Sequence, residues 1–379
     1  MPRTARTRKL RWFAPVVAAA VVALIAAIPA LSAAGAPNLA PLTPAQVVAK
    51  VQQAKPVDLW GTLDLKTNLG IPNLGALGGA IGGSQDSRGF DPTSLLSGSN
   101  QALVWFAQPD KARLALLGDM SEVDVVHNGT STWTWDSVTK KVVHYTEAPD
   151  AAGSGTGTTE PPETTNPTEP VKTPQQVADD LLAHLDPSTV VSTAETTTVA
   201  NQDVYQLVLT PRAPQSTVDH VVIAVDNVTG LALRVQIFAK GQPTAAVDLG
   251  FGDLHYATPA ASNFNFTPPA GATVTDKTLG GHGTATQGPD QGGTGAPDSS
   301  ANHPVTVGQD WTSVEIFPQT QIPAQYNEFL KAATPVSGAF GSGRLLSSQL
   351  VNVLLLDDGR VAVGAVTPAA LEAAVAGAP

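Results

Sequence analysis

Four segments between residues 204 and 251 carry an apolar side chain at every second position, and this pattern constrains the fold more than any other feature. Successive side chains of a strand point to opposite faces, so each segment has one apolar and one polar face. The apolar positions are Tyr205, Leu207, Leu209, Val221, Ile223, Val225, Leu233, Val235, Ile237, Val247, Leu249 and Phe251. The polar positions include Gln206, Arg234, Gln236 and Asp248. The pattern predicts an antiparallel sheet with one buried and one solvated face.

The first half of the chain also contains short strand segments, the first of which alternates between Leu59, Leu63 and Leu65 and their polar neighbours. Strands are predicted over 59–65, 102–107, 113–117, 122–127, 131–136 and 141–146. The Asn128-Gly129 dipeptide is the strongest short-range signal for a hairpin turn. A last strand is predicted over 263–267, where Phe264 and Phe266 share one face before two prolines end the pairing.

Two short amphipathic helices are predicted, each opened by the same dipeptide. Thr43-Pro44 and Thr173-Pro174 both place an N-cap threonine before a proline at the first helical position. Pro56 and Pro187 end the helices, whose apolar stripes are available to cover the apolar face of the sheet. The predicted fold class is therefore mainly β (α+β), an incomplete antiparallel β-barrel or curved sheet covered by α-helices.

Composition divides the chain of 379 residues into folded units and linkers. Residues 37–278 form the large unit, residues 279–304 have the composition of a flexible linker, and residues 305–379 form a small α+β unit. We predict for the small unit a strand near 311–317, a helix near 323–332, and a hairpin over 350–366 followed by a helix.

Two stretches inside the large unit interrupt the strand pattern. Residues 68–100 interleave glycines with apolar residues, which indicates either a loop docked on its own domain or a mobile flap near an apolar ligand. Residues 150–172 are rich in Thr, Pro, Gly and Glu and are predicted to be a disordered loop, because they cannot bury enough apolar surface to become ordered.

The N-terminus, residues 1–36, has the pattern of an export signal. Five basic residues and no acidic ones precede an apolar run over 12–31, which is followed by Ser32-Ala33-Ala34. The small residues favour cleavage, whereas the length of the run favours retention as a transmembrane anchor. In both cases the folded units are expected outside the cytoplasm, in the cell envelope, and a retained run would also contact the membrane.

The composition argues against several classes of function. The chain has no cysteine, which excludes disulfides, thiolate metal sites, cysteine nucleophiles and lipid attachment to this chain itself. The formal net charge of −11 argues against nucleic-acid binding. No nucleotide-binding or hydrolase motif is present, and Asp357-Asp358 before Gly359 is typical of a turn. We therefore expect no enzyme activity, no metal and no cofactor.

Three motifs resemble those of the LolA-type lipoprotein carriers. The hairpin over 126–136 resembles their tryptophan-containing hairpin, and residues 206–211 resemble a strand of theirs that ends in Leu-Thr-Pro. Residues 264–274 match their F-x-F-x-P-P-x-G-x-x-V ending. The chain looks most like the LolA-family proteins of actinobacteria. It departs from the carriers at Gln108, where they have an arginine that helps to lock the helical lid.

This resemblance implies a hydrophobic cavity that takes the acyl chains of a lipid or lipoprotein. The expected function is an exported periplasmic carrier without catalysis. The alternative is an envelope regulator of the RseB and MucB type, since these proteins join a LolA-like domain to a small C-terminal domain. A carrier is expected to bind a membrane transporter, and a regulator is expected to bind an anti-sigma-type membrane protein.

The candidate ligand-binding residues lie on the apolar faces of the predicted strands. They are Leu63, Leu65, Val104, Phe106, Leu207, Leu209, Ile223, Val225, Val235 and Ile237. Residues 102–107 are apolar on both faces, so the choice of Val104 and Phe106 follows from the resemblance. These rows are a cavity wall only if the helices leave space above them, and otherwise they are core. Trp133 and Trp135 either face the lipid or are covered by a neighbouring loop.

Overall fold

The computed structural model describes residues 37–70, 95, 97–118, 121–147, 172–183, 187–279, 304–318 and 333–378. The predicted export signal, most of the stretch 68–100, nearly all of the loop 150–172, the body of the linker and the predicted helix near 323–332 lie outside the described residues. Within the described ranges, no helix is both long enough and apolar enough to span a membrane.

Twelve strands of the described chain form one large curved sheet. They are β1 (Leu59–Asn68), β2 (Ser97–Ala107), β3 (Lys111–Gly118), β4 (Ser121–Asn128), β5 (Ser131–Asp136), β6 (Lys141–Glu147), β7 (Thr189–Val199), β8 (Gln202–Pro211), β9 (Val218–Asp226), β10 (Ala232–Ala239), β11 (Ala245–His255) and β12 (Thr273–Leu279). Their order across the sheet is β12-β6-β5-β4-β3-β2-β1-β11-β10-β9-β8-β7. The prediction of a mainly β fold with a curved sheet is confirmed.

The sheet differs from the predicted one at both edges. Strands β7 and β12 are not predicted, because their threonine-rich sequences show no continuous apolar face. β12 runs parallel to β6, so the sheet is mixed, whereas the prediction is entirely antiparallel. The predicted strand over 263–267 is wrong: Ala261–Phe264 forms a short 3-10 turn, and the residues up to β12 are irregular.

The irregular segment after β11 carries the chain across the sheet. β11 pairs with β1, whereas β12 pairs with β6, so residues 256–272 pass the strands that lie between them. The Asn128 side chain donates a hydrogen bond of 3.3 Å to the carbonyl of Phe264, which lies in this segment. Pro268 and Pro269 have no N–H to offer a neighbouring strand, which suits a segment that does not pair.

Helices α1 (Pro44–Gln52) and α2 (Pro174–Ala183) cover one face of the sheet. Each begins with a reciprocal cap, in which the Thr43 or Thr173 amide donates a hydrogen bond of 2.8 Å to the glutamine three residues later. Both helices therefore begin where the Thr-Pro dipeptides predict. Their buried residues pack with the apolar rows of β8, β9 and β10; these residues are Val47, Val51, Ala178 and Leu182.

A second sheet follows, with six antiparallel strands in the described residues. They are β13 (Val305–Val307), β14 (Val314–Phe317), β15 (Thr334–Gly338), β16 (Gly341–Ser347), β17 (Asn352–Leu356) and β18 (Val361–Gly364), in the order β13-β14-β18-β17-β16-β15. Helix α3 (Pro368–Gly377) packs on this sheet through Leu371 and Val375. The sequence indicates β14, the β17–β18 hairpin and α3, but β13, β15 and β16 are absent from the prediction. The domain boundaries remain a prediction.

The two sheets are joined by backbone hydrogen bonds. The Thr217 amide donates to the Ala365 carbonyl at 2.9 Å, and the Thr367 amide donates to the Gln215 carbonyl at 2.8 Å. Leu350, from the small sheet, lies in the same apolar core as the residues under α1 and α2. The small sheet is therefore docked on the large one at the loop between β8 and β9.

A side-chain hydrogen bond in this contact gives a first testable prediction. The Trp311 indole N–H donates to the Thr189 hydroxyl at 2.7 Å, and Thr189 is 7% exposed. Thr189→Val removes the acceptor without a large change in shape, so we expect the free energy of unfolding to fall by about 1–2 kcal/mol. Urea denaturation measures this change. Thr198→Val, at an exposed position of β7, is the control, and equal stability of the two variants would contradict the contact.

Candidate functional site

A cavity of about 310 Å³ lies where the end of α1 and the start of α2 meet the middle of the large sheet. This volume is at the lower end of the range for small-molecule sites, about 300–1,000 Å³. Its apolar lining consists of Ala54, Pro56, Val57, Leu59, Phe106, Leu231, Ala232 and Phe251. Its polar lining consists of Gln108, Thr173, Gln175, Gln176 and Asp179. The cavity thus combines a hydrocarbon-like floor with a polar side.

Strand register explains the apolar floor. Leu59 is directly opposite Phe106 in the β1–β2 pair, so both side chains lie on the face that the helices cover. Phe251 is opposite Leu63 in the β1–β11 pair and therefore shares that face. The alternation of the sequence produces this floor, since every second residue of these strands is apolar.

The polar side is held in place by Gln175 of α2. Its side-chain oxygen accepts a hydrogen bond of 2.7 Å from the Ala232 amide, which connects the helix to β10. Its side-chain nitrogen donates a hydrogen bond of 2.7 Å to an oxygen of Asp179, one turn further along the helix. Burial raises the pKa of Asp179 above its ordinary value, the hydrogen bond from Gln175 opposes this rise, and the neighbouring charge of Asp180 adds to it.

The structure places most of the ten predicted ligand residues in the packed core. Phe106 is the one of the ten that lines the cavity. Seven are at most 1% exposed: Leu63, Val104, Leu207, Leu209, Ile223, Val225 and Val235. Leu65 and Ile237 are partly buried. Residues of α1 and α2 pack directly against the rows on β8, β9 and β10. That these rows contact a ligand remains a prediction.

Sequence reasoning does not find the helical side of the cavity. Gln175 and Asp179 are four residues apart and therefore neighbours on a helix, and this polar pair beside the apolar stripe is a signal that could have been used. From the sequence, Gln108 is distinctive only because the LolA-type carriers have an arginine at this position. In the structure its side chain lines the cavity, and its backbone amide donates a hydrogen bond of 2.8 Å to Asp58.

Trp133 lies on the opposite face of the sheet from the cavity. Phe106 faces the cavity, so the preceding residue, Trp105, faces away from it. The residues in register with Trp105 on the next strands share its face: Arg113, Val126 and Trp133. Trp133 stacks on His144 with ring centroids 3.8 Å apart, and Phe266 of the crossing segment lies 5.6 Å away. Of the two alternatives for this side chain, cover by a neighbouring segment is the one observed.

The described residues show no arrangement suited to metal chemistry. No group of three or more histidine, aspartate and glutamate side chains in these ranges is placed to hold a metal ion. Asp358 lies in the β17–β18 turn, where its carboxylate accepts hydrogen bonds from the backbone and side chain of Arg360 at 3.0 and 2.9 Å. These bonds, the backbone one first, hold the pKa of Asp358 below its usual value. The carboxylate is thus engaged in turn formation.

No protein family profile and no curated protein matches the sequence. Among solved structures, the chain is similar to MucB from Pseudomonas aeruginosa in complex with MucA, with 14% identity, 87% of this chain and 95% of MucB covered, and a TM-score of 0.40. It is also similar to an uncharacterized conserved protein from Thermus thermophilus, with 10% identity, 62% of this chain and 98% of that protein covered, and a TM-score of 0.32. A LolA superfamily protein from Nitrosomonas europaea is similar with 8% identity, 60% of this chain and 99% of that protein covered, and a TM-score of 0.22. At these values the similarity assigns no function.

Proposed function

We propose that the protein is an exported binding protein that holds an acyl chain of a lipid or lipoprotein in the cavity beneath α1 and α2. The observation that carries this proposal is the cavity itself, which has eight apolar lining residues and a polar side formed by α2 and Gln108. An amphipathic ligand would place its hydrocarbon against Leu59, Phe106 and Phe251. Export is proposed from the sequence pattern of residues 1–36.

The energetics support binding of this kind. Burial of a methylene group contributes about 0.8 kcal/mol, so a chain of about 12 carbons offers roughly 10 kcal/mol. Association and ordering cost roughly half of this or more, which leaves at most about 5 kcal/mol and a dissociation constant of about 0.2 mM or weaker. The cavity volume of about 310 Å³ is small for a long acyl chain, so a longer chain would require α1 or α2 to move away from the sheet.

A matched pair of tryptophan substitutions tests whether the cavity is the binding site. Val57 is half-buried and lines the cavity, so Val57→Trp should fill the open space with little loss of stability. We expect at least about a tenfold loss of affinity for 1-lauroylglycerol, measured by calorimetric titration, at a nearly unchanged melting temperature. Unchanged affinity would exclude this cavity as the acyl site.

Leu207→Trp is the matched control for overpacking. Leu207 is fully buried among apolar side chains under the helices and does not line the cavity. The same substitution should therefore lower the free energy of unfolding by about 1–3 kcal/mol or more. Native mass spectrometry of the protein from its own envelope adds an independent test. Absence of a copurifying lipid, together with no binding of 1-lauroylglycerol, would overturn the proposal.

A second candidate is an envelope regulator that binds an exported segment of an anti-sigma-type membrane protein. The observation that favours it is the six-stranded C-terminal sheet, which is docked on the large sheet through Thr217 and Leu350 and which the short carriers lack. MucA is bound to MucB in the similar Pseudomonas structure. Cross-linking of the full chain in envelope membranes distinguishes the candidates. Capture of a single-pass membrane protein favours a regulator, and capture of a lipoprotein or transporter favours a carrier.

A further inference from the structure

We infer that the cavity selects ligands whose polar end donates hydrogen bonds and carries no negative charge, such as a glyceryl or amide group. This inference rests on the proposed acyl-binding function and adds the chemical class of the head group. The polar end of such a ligand would lie beside α2 and Gln108, because the other walls of the cavity are apolar.

The charge of the cavity lining is the first observation. Among the described residues that line it, Asp179 is the one ionisable side chain, and no lysine, arginine or histidine is present. Lys172 precedes α2, but its ammonium group is paired with Asp180 at 3.0 Å. A phosphate or carboxylate head group would therefore meet a negative charge without a cation in the lining to compensate it.

The hydrogen-bonding capacity of the lining is the second observation. Gln175 is engaged at both ends, by the Ala232 amide and by Asp179. The Gln176 side-chain oxygen accepts the Thr173 amide at 2.8 Å, so this side chain is also engaged in the helix cap. A carboxylate has about four acceptor sites, and one hydrogen bond from Gln175 leaves Asp179 with capacity to accept more. Asp179 can thus accept hydrogen bonds from ligand hydroxyl or N–H groups, and the side-chain amides of Gln108 and Gln176 add both donors and acceptors.

The charge state of Asp179 adds to this selection. Partial burial raises the pKa of Asp179, while the side chain as a whole remains exposed. At neutral pH an aspartate is ionised unless its pKa rises by about three units. A second negative charge in the cavity would be repelled by the Asp179 carboxylate, whereas a hydroxyl group would donate a hydrogen bond to it.

Two lipids that differ only by a phosphate test the inference. They are 1-lauroylglycerol and 1-lauroylglycerol 3-phosphate, titrated calorimetrically at neutral pH and low ionic strength. We expect the parent protein to bind the uncharged lipid at least about tenfold more tightly. Asp179→Asn keeps the size and the acceptor oxygen but removes the charge, so it should reduce this preference to about threefold or less.

The control is Asp180→Asn, because Asp180 does not line the cavity but carries the same charge on the same helix. This variant should keep the preference of the parent. Equal binding of both lipids by the parent would overturn the inference and leave the acyl-binding proposal standing. A preference that Asp179→Asn leaves intact, or that Asp180→Asn removes equally, would also overturn it. If the parent bound neither lipid, both the inference and the proposed function would fail.

Discussion

Replacement of Ile223 by glutamate is expected to prevent the large sheet from folding. Ile223 is fully buried in β9, where it pairs with Leu207 on one side and Val235 on the other. The new carboxyl group would lie in an apolar core beneath both helices. Full burial raises the pKa of a carboxyl group by about 3–5 units. This corresponds to roughly 4–7 kcal/mol, which compares with a total stability of about 5–15 kcal/mol for a typical domain.

Circular dichroism and urea denaturation would measure this effect. Val222→Glu is the matched control, because Val222 precedes Ile223 in β9 and is paired with Gln236 on the polar face. We expect this control to change stability by less than about 1 kcal/mol. Native-like stability of Ile223→Glu would show that the helices do not close over β9, and would favour an open cavity there.

The pH dependence of the Ile223→Glu variant identifies the cause. The carboxyl pKa is higher in the folded state than in the unfolded state, where it is about 4.3. The folded state therefore holds a proton that the unfolded state loses, so stability relative to the parent should fall as pH rises above about 4.3. Relative stability that does not change with pH would indicate a steric effect.

The sequence predicts which face of each strand is buried more reliably than it predicts the cavity between the helices and the sheet. Strands β8 to β11 are predictable because residues such as Leu207 and Ile223 alternate with polar neighbours. β7 is missed because it is an edge strand whose central residues, 192–195, are all exposed. β12 is missed because its parallel partner, β6, is distant in the chain. Phe264 and Phe266 have strand spacing, but they belong to a segment that crosses the sheet.

The cavity could not be located from the sequence for a related reason. Periodicity places Leu59 and Ile223 on the apolar faces of their strands, but it does not show which of them a helix covers. That depends on where α1 and α2 end and on how their side chains fill the gap. In the structure Val47 and Ala178 pack within the core cluster that contains Ile223, whereas space remains beside Phe106.

Removal of the Arg113 guanidinium is the second change with a large expected effect. Arg113 donates two hydrogen bonds to the two carboxylate oxygens of Asp124, at 3.1 and 2.8 Å. The Asp124 side chain is only 6% exposed, so its charge depends on this partner. Arg113→Met would leave a buried carboxylate without its cation. We expect the free energy of unfolding to fall by about 3 kcal/mol, the low end for removing one partner of a buried pair.

Neighbouring groups increase this cost. The Arg113 guanidinium also lies 5.1 Å from the centre of the Trp105 ring, a cation–π contact worth about 0.5–1 kcal/mol. Burial, and then the charge of Asp124, raises the pKa of Glu122, while Arg113 opposes that rise. Without the guanidinium, the two acidic groups would repel each other without compensation. Arg113→Lys restores the charge but not the paired hydrogen bonds, so it should recover only part of the lost stability.

A double-mutant cycle separates the loss of the pair from the penalty of an unpaired charge. If the penalty arises from the buried Asp124 carboxylate, then Arg113→Met combined with Asp124→Leu should be more stable than Arg113→Met alone, because the double variant buries no charge. We expect the double variant to lie within about 1–2 kcal/mol of the parent in urea denaturation. A single Arg113→Met variant that loses less than about 1 kcal/mol would instead class the pair with ordinary surface salt bridges. The outer face of β3 and β4 would then be more open to solvent than the 6% exposure of Asp124 indicates.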